Sequence, residues 1–431
     1  MFTAARLGAV ALTAAAVLAG SAAPALAATA SPVPVPAGLY GKSDPTYDGV
    51  WRQGLSLLAL HTQGVTPADS AISWLTGQQC ADGGWPSYNA DPTKACTATT
   101  EDSNATSSAV QALVALGGHD DAVTKAVAWF RTVQNKDGGW SYNPGTPSDG
   151  NSTGLVVSAL YAAKTDPATV TKDGKSALDG LHGFQLGCTA ATAVQGAFAY
   201  QPDKAGKLVA NDFASAQAAL AAGSGSLPVA APASSSASSS ASAPSSASSS
   251  APSSAPAANC SDSKGAASQY LARQLSSGSG HLTTQLAGAK PAPDYAGTAW
   301  AALALANNGR SDDAKQAVEW LRQNGASWAQ GNGTPQATAL ALMILDARAT
   351  GIDPQRFGTA DLVAQLEATG PAPAATPAPS SSASASASEK SDKSSNASFS
   401  AWWLILVGLA AGAGIGIYIS YSRKTRTRPR P

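Results

Sequence analysis

The chain has 431 residues and is formally neutral, with 27 basic and 27 acidic residues. Six of the basic residues lie in two terminal segments, so the remainder is mildly acidic, with 21 basic groups against 27 acidic ones. No basic stripe with interleaved aromatic residues occurs, which excludes nucleic acid as a partner.

The N-terminus has the pattern of a secretory leader. One positive charge, Arg6, precedes an apolar run over 7–19 that is too short to span a bilayer, and the small-residue sequence Ala25-Leu26-Ala27 follows. This pattern predicts a signal peptide over 1–27, removed on export.

The C-terminus has the pattern of a membrane anchor. Residues 402–421 carry no charge, and at 1.5 Å per residue they match the roughly 30 Å of a bilayer core. We predict a transmembrane helix over 399–421 and a basic cytoplasmic tail over 422–431, as the positive-inside rule requires. The protein would then be exported and held in the cell membrane by a single span.

Two stretches consist almost entirely of Ser, Ala and Pro, at 224–258 and 371–398. They have little apolar bulk to offset the entropy of ordering. We predict a disordered insertion in the first case and a disordered stalk before the membrane in the second.

The four cysteines form an even set in an exported chain, which favours disulfides over a metal site. Three pairings are possible. We favour Cys80 with Cys96, which closes a short loop, and Cys188 with Cys260.

One motif recurs without a gap after 55 residues, as Gln-x-x-Asp-Gly-Gly-Trp at 79–85 and at 134–140. Weaker copies follow, Phe184-Gln185 before Phe198 and Trp320-Leu321 before Trp328. Each copy ends a stretch of helical apolar periodicity, so we expect each to close a helical hairpin.

Six Ala- and Leu-rich runs open the hairpins, most of them after an Asp or Asn suited to an N-cap. The predicted opening helices span 47–61, 104–116, 151–163, 211–222, 295–307 and 336–349. The predicted closing helices are near 68–79, 121–134, 174–187, 262–277, 312–324 and 358–368.

Six hairpins are enough to close a ring, which gives an all-α fold, an α6/α6 toroid. The more uniformly apolar opening helices would be inside and the amphipathic closing helices outside. The Ser/Ala-rich insertion falls within the fourth hairpin, so 40–223 and 259–370 form one toroid and not two domains. Lengthening a surface loop costs only about 0.6 kcal/mol per doubling.

The two close motif copies in six hairpins resemble the QW-type repeat of the terpene cyclase and protein prenyltransferase superfamily, which includes squalene cyclase. The resemblance covers nearly all of 40–370. It implies a structural role for the motif residues, in which the Gln and Trp side chains tie each outer helix to the neighbouring turn. The residues that match are Gln79, Asp82, Gly83, Gly84, Trp85, Gln134, Asp137, Gly138, Gly139 and Trp140.

The catalytic motifs of that superfamily are absent from the sequence. No Asp-x-Asp-Asp acid occurs. The acidic pairs Asp120-Asp121 and Asp312-Asp313 lie at the starts of closing helices, where negatively charged side chains interact favourably with the helix dipole. The four histidines have no spacing typical of a zinc site.

Exported toroids that bind without reacting, such as the cobalamin carriers, remain compatible with the sequence. By resemblance alone they imply a corrinoid or isoprenoid-like ligand. We therefore expect a non-catalytic, membrane-anchored toroid that binds a small molecule or a surface partner. The alternatives are an extracytoplasmic cyclase- or transferase-like enzyme and a structural or adhesion module.

The rim of the ring is where a ligand would bind, because the polar starts of the inner helices meet there. Asn104, Asn151 and Asn211 are explained by capping, whereas Asp102 and Asp149 stand one position too early for caps. Aromatic residues of the opening helices could line an apolar cavity. The candidates are Asp102, Asn104, Asp149, Asn151, Asn211, Asp212, Tyr47, Trp51, Tyr295 and Trp300.

Overall fold

The structure is a computed structural model that describes residues 33–97, 99–232, 261–284, 290–331 and 333–374. These residues form 13 α-helices and two short antiparallel hairpins. The predicted all-α class is confirmed for this part of the chain.

The α-helices in chain order are α1 Gly49–Thr62, α2 Asp69–Gly77, α3 Ser103–Leu116, α4 Asp120–Val133, α5 Gly150–Ala162, α6 Ala177–His182, α7 Asp212–Ala222, α8 Ser263–Ser277, α9 Tyr295–Asn307, α10 Ser311–Asn324, α11 Ala326–Gln330, α12 Ala337–Thr350 and α13 Leu362–Glu367. Strand β1 (Thr171–Lys172) pairs with β2 (Lys175–Ser176), and β3 (Leu282–Thr283) pairs with β4 (Pro293–Asp294). Short 3₁₀ helices lie at Pro167–Thr169, Thr192–Val194 and Pro354–Arg356.

Six helices pack in a cyclic order, and we call them the central helices. α1 packs on α3, α3 on α5, α5 on α7, α7 on α9, α9 on α12, and α12 on α1 again. Each also packs against the flanking helix that follows it, α2, α4, α6, α8, α10 or α13.

Burial explains which helices are central. α12 buries twelve of its 14 residues and has apolar side chains on nearly every side. Flanking α10 buries only Ala314, Ala317, Val318 and Leu321, one stripe at helical spacing, and begins with the acids Asp312 and Asp313. A helix that is apolar all round belongs in the interior, whereas a helix with one stripe belongs at the surface.

Some central helices approach closely where one side chain is missing. A Cβ added at Gly154 of α5 would lie 2.7 Å from Cα of Ala218 on α7. One at Gly54 of α1 would lie 2.8 Å from the carbonyl of Ser108 on α3. These contacts leave no room for larger residues.

Two closing helices differ from the prediction. The third spans only 177–182 rather than 174–187, because Asp173 and Gly174 adopt positive φ and turn the chain between β1 and β2. The sixth begins at Leu362 rather than 358. Trp328, which ends the weaker motif copy after the fifth closing helix, lies in the short helix α11.

The predicted insertion over 224–258 is not wholly disordered, and this part of the prediction was wrong. Its first nine residues, 224–232, are described, and Leu227 and Val229 are buried. The Leu227 N–H donates to Oε1 of Gln111 on α3 at 2.7 Å. Leu and Val occur only at this end of the insertion, so this end can bury apolar surface. Residues 233–258 lie outside the described residues.

The two ends of the packed region meet. The Gly41 N–H donates to the Thr369 carbonyl at 3.2 Å, and the Tyr40 hydroxyl donates to the Pro371 carbonyl at 3.4 Å. Gly370 lies against the Tyr40 ring, where any Cβ would clash.

The Cys80–Cys96 disulfide is confirmed, with a Cα–Cα distance of 5.7 Å. Cys188 is also disulfide-bonded, and its predicted partner Cys260 lies outside the described residues.

The predicted signal peptide, most of the stalk from 375, the membrane helix and the tail also lie outside the described residues. None of the helices in the described ranges has the length and apolar character needed to cross a bilayer.

Candidate functional site

The Gln of each repeat motif connects two neighbouring hairpins. Nε2 of Gln79 donates to the carbonyls of Gly83 (3.0 Å) and Ala122 (2.9 Å), the second of which lies at the start of the next flanking helix. Gln134 does the same with Gly138 and Val170, and the weaker copy Gln185 with Gly196 and Ser263. In all three hairpins the side-chain NH2 group of this Gln donates to two backbone carbonyls.

The tryptophans and glycines of the motif are also structural. Nε1 of Trp85 donates to the Leu75 carbonyl at 2.8 Å, and Nε1 of Trp140 donates to the Phe130 carbonyl at 2.9 Å. Gly83 and Gly138 have φ values of +109° and +85°, and a Cβ on either would lie within 2.3 Å of a carbonyl oxygen of the next hairpin. These residues are therefore unavailable for a ligand.

The caps of α3 and α5 differ from the prediction, whereas Asn211 caps α7 as predicted. Asp102, not Asn104, caps α3, and its Oδ1 accepts from the N–H groups of Asn104 and Ala105 at 2.8 and 2.9 Å. Asp149, not Asn151, caps α5 by accepting from the Ser152 N–H at 2.7 Å. Asn104 and Asn151 each stand two positions inside their helices, so their side chains are free of the capping role.

A second recurring residue was missed by sequence reasoning. The hydroxyl oxygens of Thr106, Thr153, Ser215 and Thr298 each accept the N–H of the motif Trp or its counterpart. Each stands four positions after the cap residue, in the pattern Asp/Asn-x-x-x-Thr/Ser. That spacing is visible in the sequence and was the signal for the true caps.

A cavity of about 220 Å³ opens among the N-terminal ends of α1, α3, α5 and α7, and we call it the mouth cavity. Aromatic side chains make part of its wall, with 83% of Tyr47, 39% of Tyr142 and 37% of Phe213 exposed. Trp51 contributes from α1 and lies 6.0 Å, centroid to centroid, from Trp300. A wider depression of about 660 Å³ adjoins it across Asp48 and Trp51 and reaches Trp328.

Two carboxylates line the mouth cavity, and both have partners. Asp48 is bound by the buried Arg52 at 2.6 Å. Oδ2 of Asp102 accepts from the Ser87 hydroxyl at 2.7 Å, and Ser87 lies 3.0 Å from the Tyr142 hydroxyl. Burial raises the pKa of both carboxyls, and their hydrogen bonds oppose that rise. Burial and the charge of Asp102 raise the pKa of Tyr142 to about 12.

Three amide side chains of the wall are incompletely bonded. Nδ2 of Asn104 is 3.5 Å from Oδ1 of Asn151, which leaves Oδ1 of Asn104 and Nδ2 of Asn151 buried without a partner in the described residues. Oε1 of Gln217, a residue only 2% exposed, also has none there. Buried polar atoms without partners carry a desolvation cost that a ligand can remove.

The structure brings half of the ten predicted candidates to this cavity, namely Tyr47, Trp51, Asp102, Asn104 and Asn151. Of the others, Asp149 and Asn211 are caps, and the Asp212 carboxylate accepts from the Tyr270 hydroxyl. Trp300 is buried in the core, and Tyr295 stacks on Trp328. Tyr142, Phe213 and Gln217 were missed, because only the packing of neighbouring hairpins brings them to the rim.

A separate buried carboxyl lies beside the disulfide. Glu101 is 2% exposed, and its Oε2 accepts from Nε1 of Trp129 at 3.1 Å. Burial, followed by a hydrogen bond and charge repulsion from Asp82, raises the pKa of Glu101 to about 7. Glu101 is not among the residues that line the mouth cavity.

Comparisons with known proteins give little further information. No protein-family model matches the chain, and no curated protein matches it. Among solved structures, a crystal structure of a protein from Actinoplanes is similar with a TM-score of 0.45 and 12% identity, over 74% of this chain and 95% of that chain.

Proposed function

We propose that this protein is an α/α toroid of the terpene cyclase and prenyltransferase type that binds a small ligand at the mouth cavity. The observation that carries the proposal is the cavity wall, in which exposed aromatic rings lie beside buried amide atoms that have no partner among the described residues. The cyclic packing of six central helices, each with a flanking helix, supports the fold. The leader and anchor patterns support a place at the cell surface.

Binding without chemistry fits the state of the carboxylates. A general acid needs a proton to give to its substrate. Asp102 accepts three hydrogen bonds and caps α3, and Asp48 is paired with Arg52. Both carboxylates are therefore engaged in structural contacts within the protein.

The cavity volume limits what enters it. Pockets for drug-sized ligands measure about 300–1,000 Å³, so a cavity of about 220 Å³ holds one group of a larger molecule. A corrinoid exceeds this volume, and we do not extend that ligand to this chain.

The proposal is tested by native mass spectrometry of the full-length protein purified from its host. The test variant is Tyr47→Ala/Phe213→Ala, which removes two exposed rings of the wall without emptying the core. Tyr200→Ala is the matched control, since Tyr200 is 47% exposed and is not part of the wall.

We expect one bound small molecule on the wild type and the control, and several-fold lower occupancy on the double variant. A wild type without bound mass, or equal occupancy in the double variant, contradicts the proposal. Conversion of the bound molecule to a new mass on incubation would instead favour the enzyme alternative.

A further inference from the structure

The wall of the mouth cavity is electrostatically one-sided. The described residues that line it include the carboxylates Asp48 and Asp102 and no Lys, Arg or His side chain. Arg52, behind the wall, is 1% exposed and compensates Asp48. The charge of Asp102 faces neutral partners only. An anionic ligand would meet this charge without a compensating cation, whereas a cation would be attracted.

The aromatic rings strengthen the same preference. Tyr47, Trp51, Tyr142 and Phe213 line a space of about 220 Å³. A cation within about 6 Å of such a ring centroid is attracted by the ring quadrupole, and Trp and Tyr bind it best.

The amide atoms indicate what kind of cation fits. Three buried amide atoms of the wall have no partner in the described residues, and two of them, Oε1 of Gln217 and Oδ1 of Asn104, are acceptors, while Nδ2 of Asn151 is a donor. A quaternary ammonium has no N–H to donate to the two acceptors. A primary ammonium carries three donors and no acceptor.

We propose that the mouth cavity binds a primary ammonium group, carried either by a free amine or by a lysine side chain of a partner. The group sits among the aromatic faces and donates to Gln217, Asn104 and the carboxylate side of the wall. This inference rests on the proposed function and names the ligand class of the same cavity.

The experiment titrates the full-length protein with matched probes and follows binding by ligand-observed NMR. The probes are butylammonium chloride, Nα-acetyl-lysine methylamide, its trimethylated counterpart and the uncharged Nα-acetyl-norleucine methylamide. The variants are Tyr47→Ala and Gln217→Leu, the second nearly isosteric and without the acceptor, with Tyr200→Ala as control.

We expect the lysine derivative or butylammonium to bind at least about tenfold more tightly than the norleucine and trimethylated probes. The stronger of the two ammonium probes identifies the source, a partner's lysine or a free amine. Tyr47→Ala and Gln217→Leu should each weaken binding about three- to tenfold, while Tyr200→Ala leaves it unchanged. Binding should also weaken with added salt and at acid pH, where the carboxylates are protonated.

Equal binding of the norleucine probe, or no binding of either ammonium probe, overturns the ammonium assignment. If native mass spectrometry then still finds an uncharged molecule that the Tyr47→Ala/Phe213→Ala variant loses, the ligand-binding function stands and only the ligand class is wrong. If neither experiment finds a ligand, both proposals fail.

Discussion

Glu101 shows how one buried carboxyl couples stability to pH. Its folded-state pKa is about 7, above the ordinary value of 4.5, because of burial and the neighbouring Asp82. The native protein therefore binds a proton in a pH range where the unfolded chain has lost it. Stability is highest below about pH 4.5 as far as this group is concerned, and it declines as pH rises toward 7.

We expect Glu101→Gln to remove this dependence. The amide can accept from Trp129 and donate to Asp82, as the protonated acid does, and it carries no charge to bury. The free energy of unfolding at pH 8 should exceed that of the wild type by on the order of 2 kcal/mol, and the difference should shrink as the pH falls and vanish below about pH 4.5. Urea unfolding at pH 5, 6, 7 and 8 measures both effects.

The matched control is Glu319→Gln, because burial contributes little at this exposed carboxyl and its pKa is lowered to about 2 by Arg322 and Gln323. Glu319 is ionised in both states throughout that pH range, so this variant should keep the wild-type slope. An unchanged slope in Glu101→Gln would show that another group controls the pH response.

At the scale of the element, three hairpins are each joined to the next by a glycine turn that lies against a carbonyl, at Gly83, Gly138 and Gly196. Gly138 has φ +85°, and a Cβ there would lie 2.2 Å from the Ser176 carbonyl oxygen. Gly145 has nearly the same backbone conformation, φ +84°, but no atom lies within 4 Å of its Cβ position. Substitutions at Gly138 and Gly145 therefore separate the free-energy cost of a positive φ from the cost of the steric contact with the next hairpin.

We expect Gly145→Ala to destabilise the fold by about 1 kcal/mol, the cost of a left-handed non-glycine residue. Gly138→Ala should cost a further 1–3 kcal/mol or so, because the turn must move away from the next hairpin. Chemical denaturation of both variants checks the difference. Equal losses would mean that the turn relaxes freely and does not position its neighbour.

The elements also show where sequence reasoning succeeds. The central helices were predicted to within two residues at each end, because continuous apolar runs with polar starts have only one compatible structure. The third closing helix was predicted to begin too early because Gly174, the second residue of the Asp173-Gly174 hairpin turn, was assigned to the helix. The caps at Asp102 and Asp149 were missed because the backbone bonds from their N–H groups to Trp85 and Trp140 set where each helix begins.

At the scale of the whole molecule, the inserted segment interrupts one packed body. α7 before it and α8 and α9 after it pack together, and α12 returns to α1. Half of the ten residues that line the mouth cavity were predicted from the sequence, because they lie at or near helix starts. Phe213 and Gln217 could not be predicted, since only the cyclic packing carries α7 to the first three central helices.

We expect the two halves of the chain to stay together after the insertion is cut. A specific protease site placed within 233–258, in a Cys188→Ser background that removes the covalent link through Cys188, should give two fragments that co-elute on size exclusion. Thermal unfolding should remain a single transition, because both α7–α9 and α12–α1 contacts hold the halves. Separation of the fragments would indicate two independent domains.

The contact between the two ends of the packed region has a mechanical consequence. Gly41 and Thr369 are hydrogen-bonded, and Gly370 lies on the Tyr40 ring. Tension applied to the chain beyond Ala374 therefore acts first on this contact between the two ends and only afterwards on the packing of α12 against α1. The mouth cavity is connected to this contact through Arg52, which donates to the Tyr40 carbonyl at 2.9 Å and binds Asp48 of the cavity wall at 2.6 Å. A pull that opens the contact between the ends therefore also acts on the wall of the cavity.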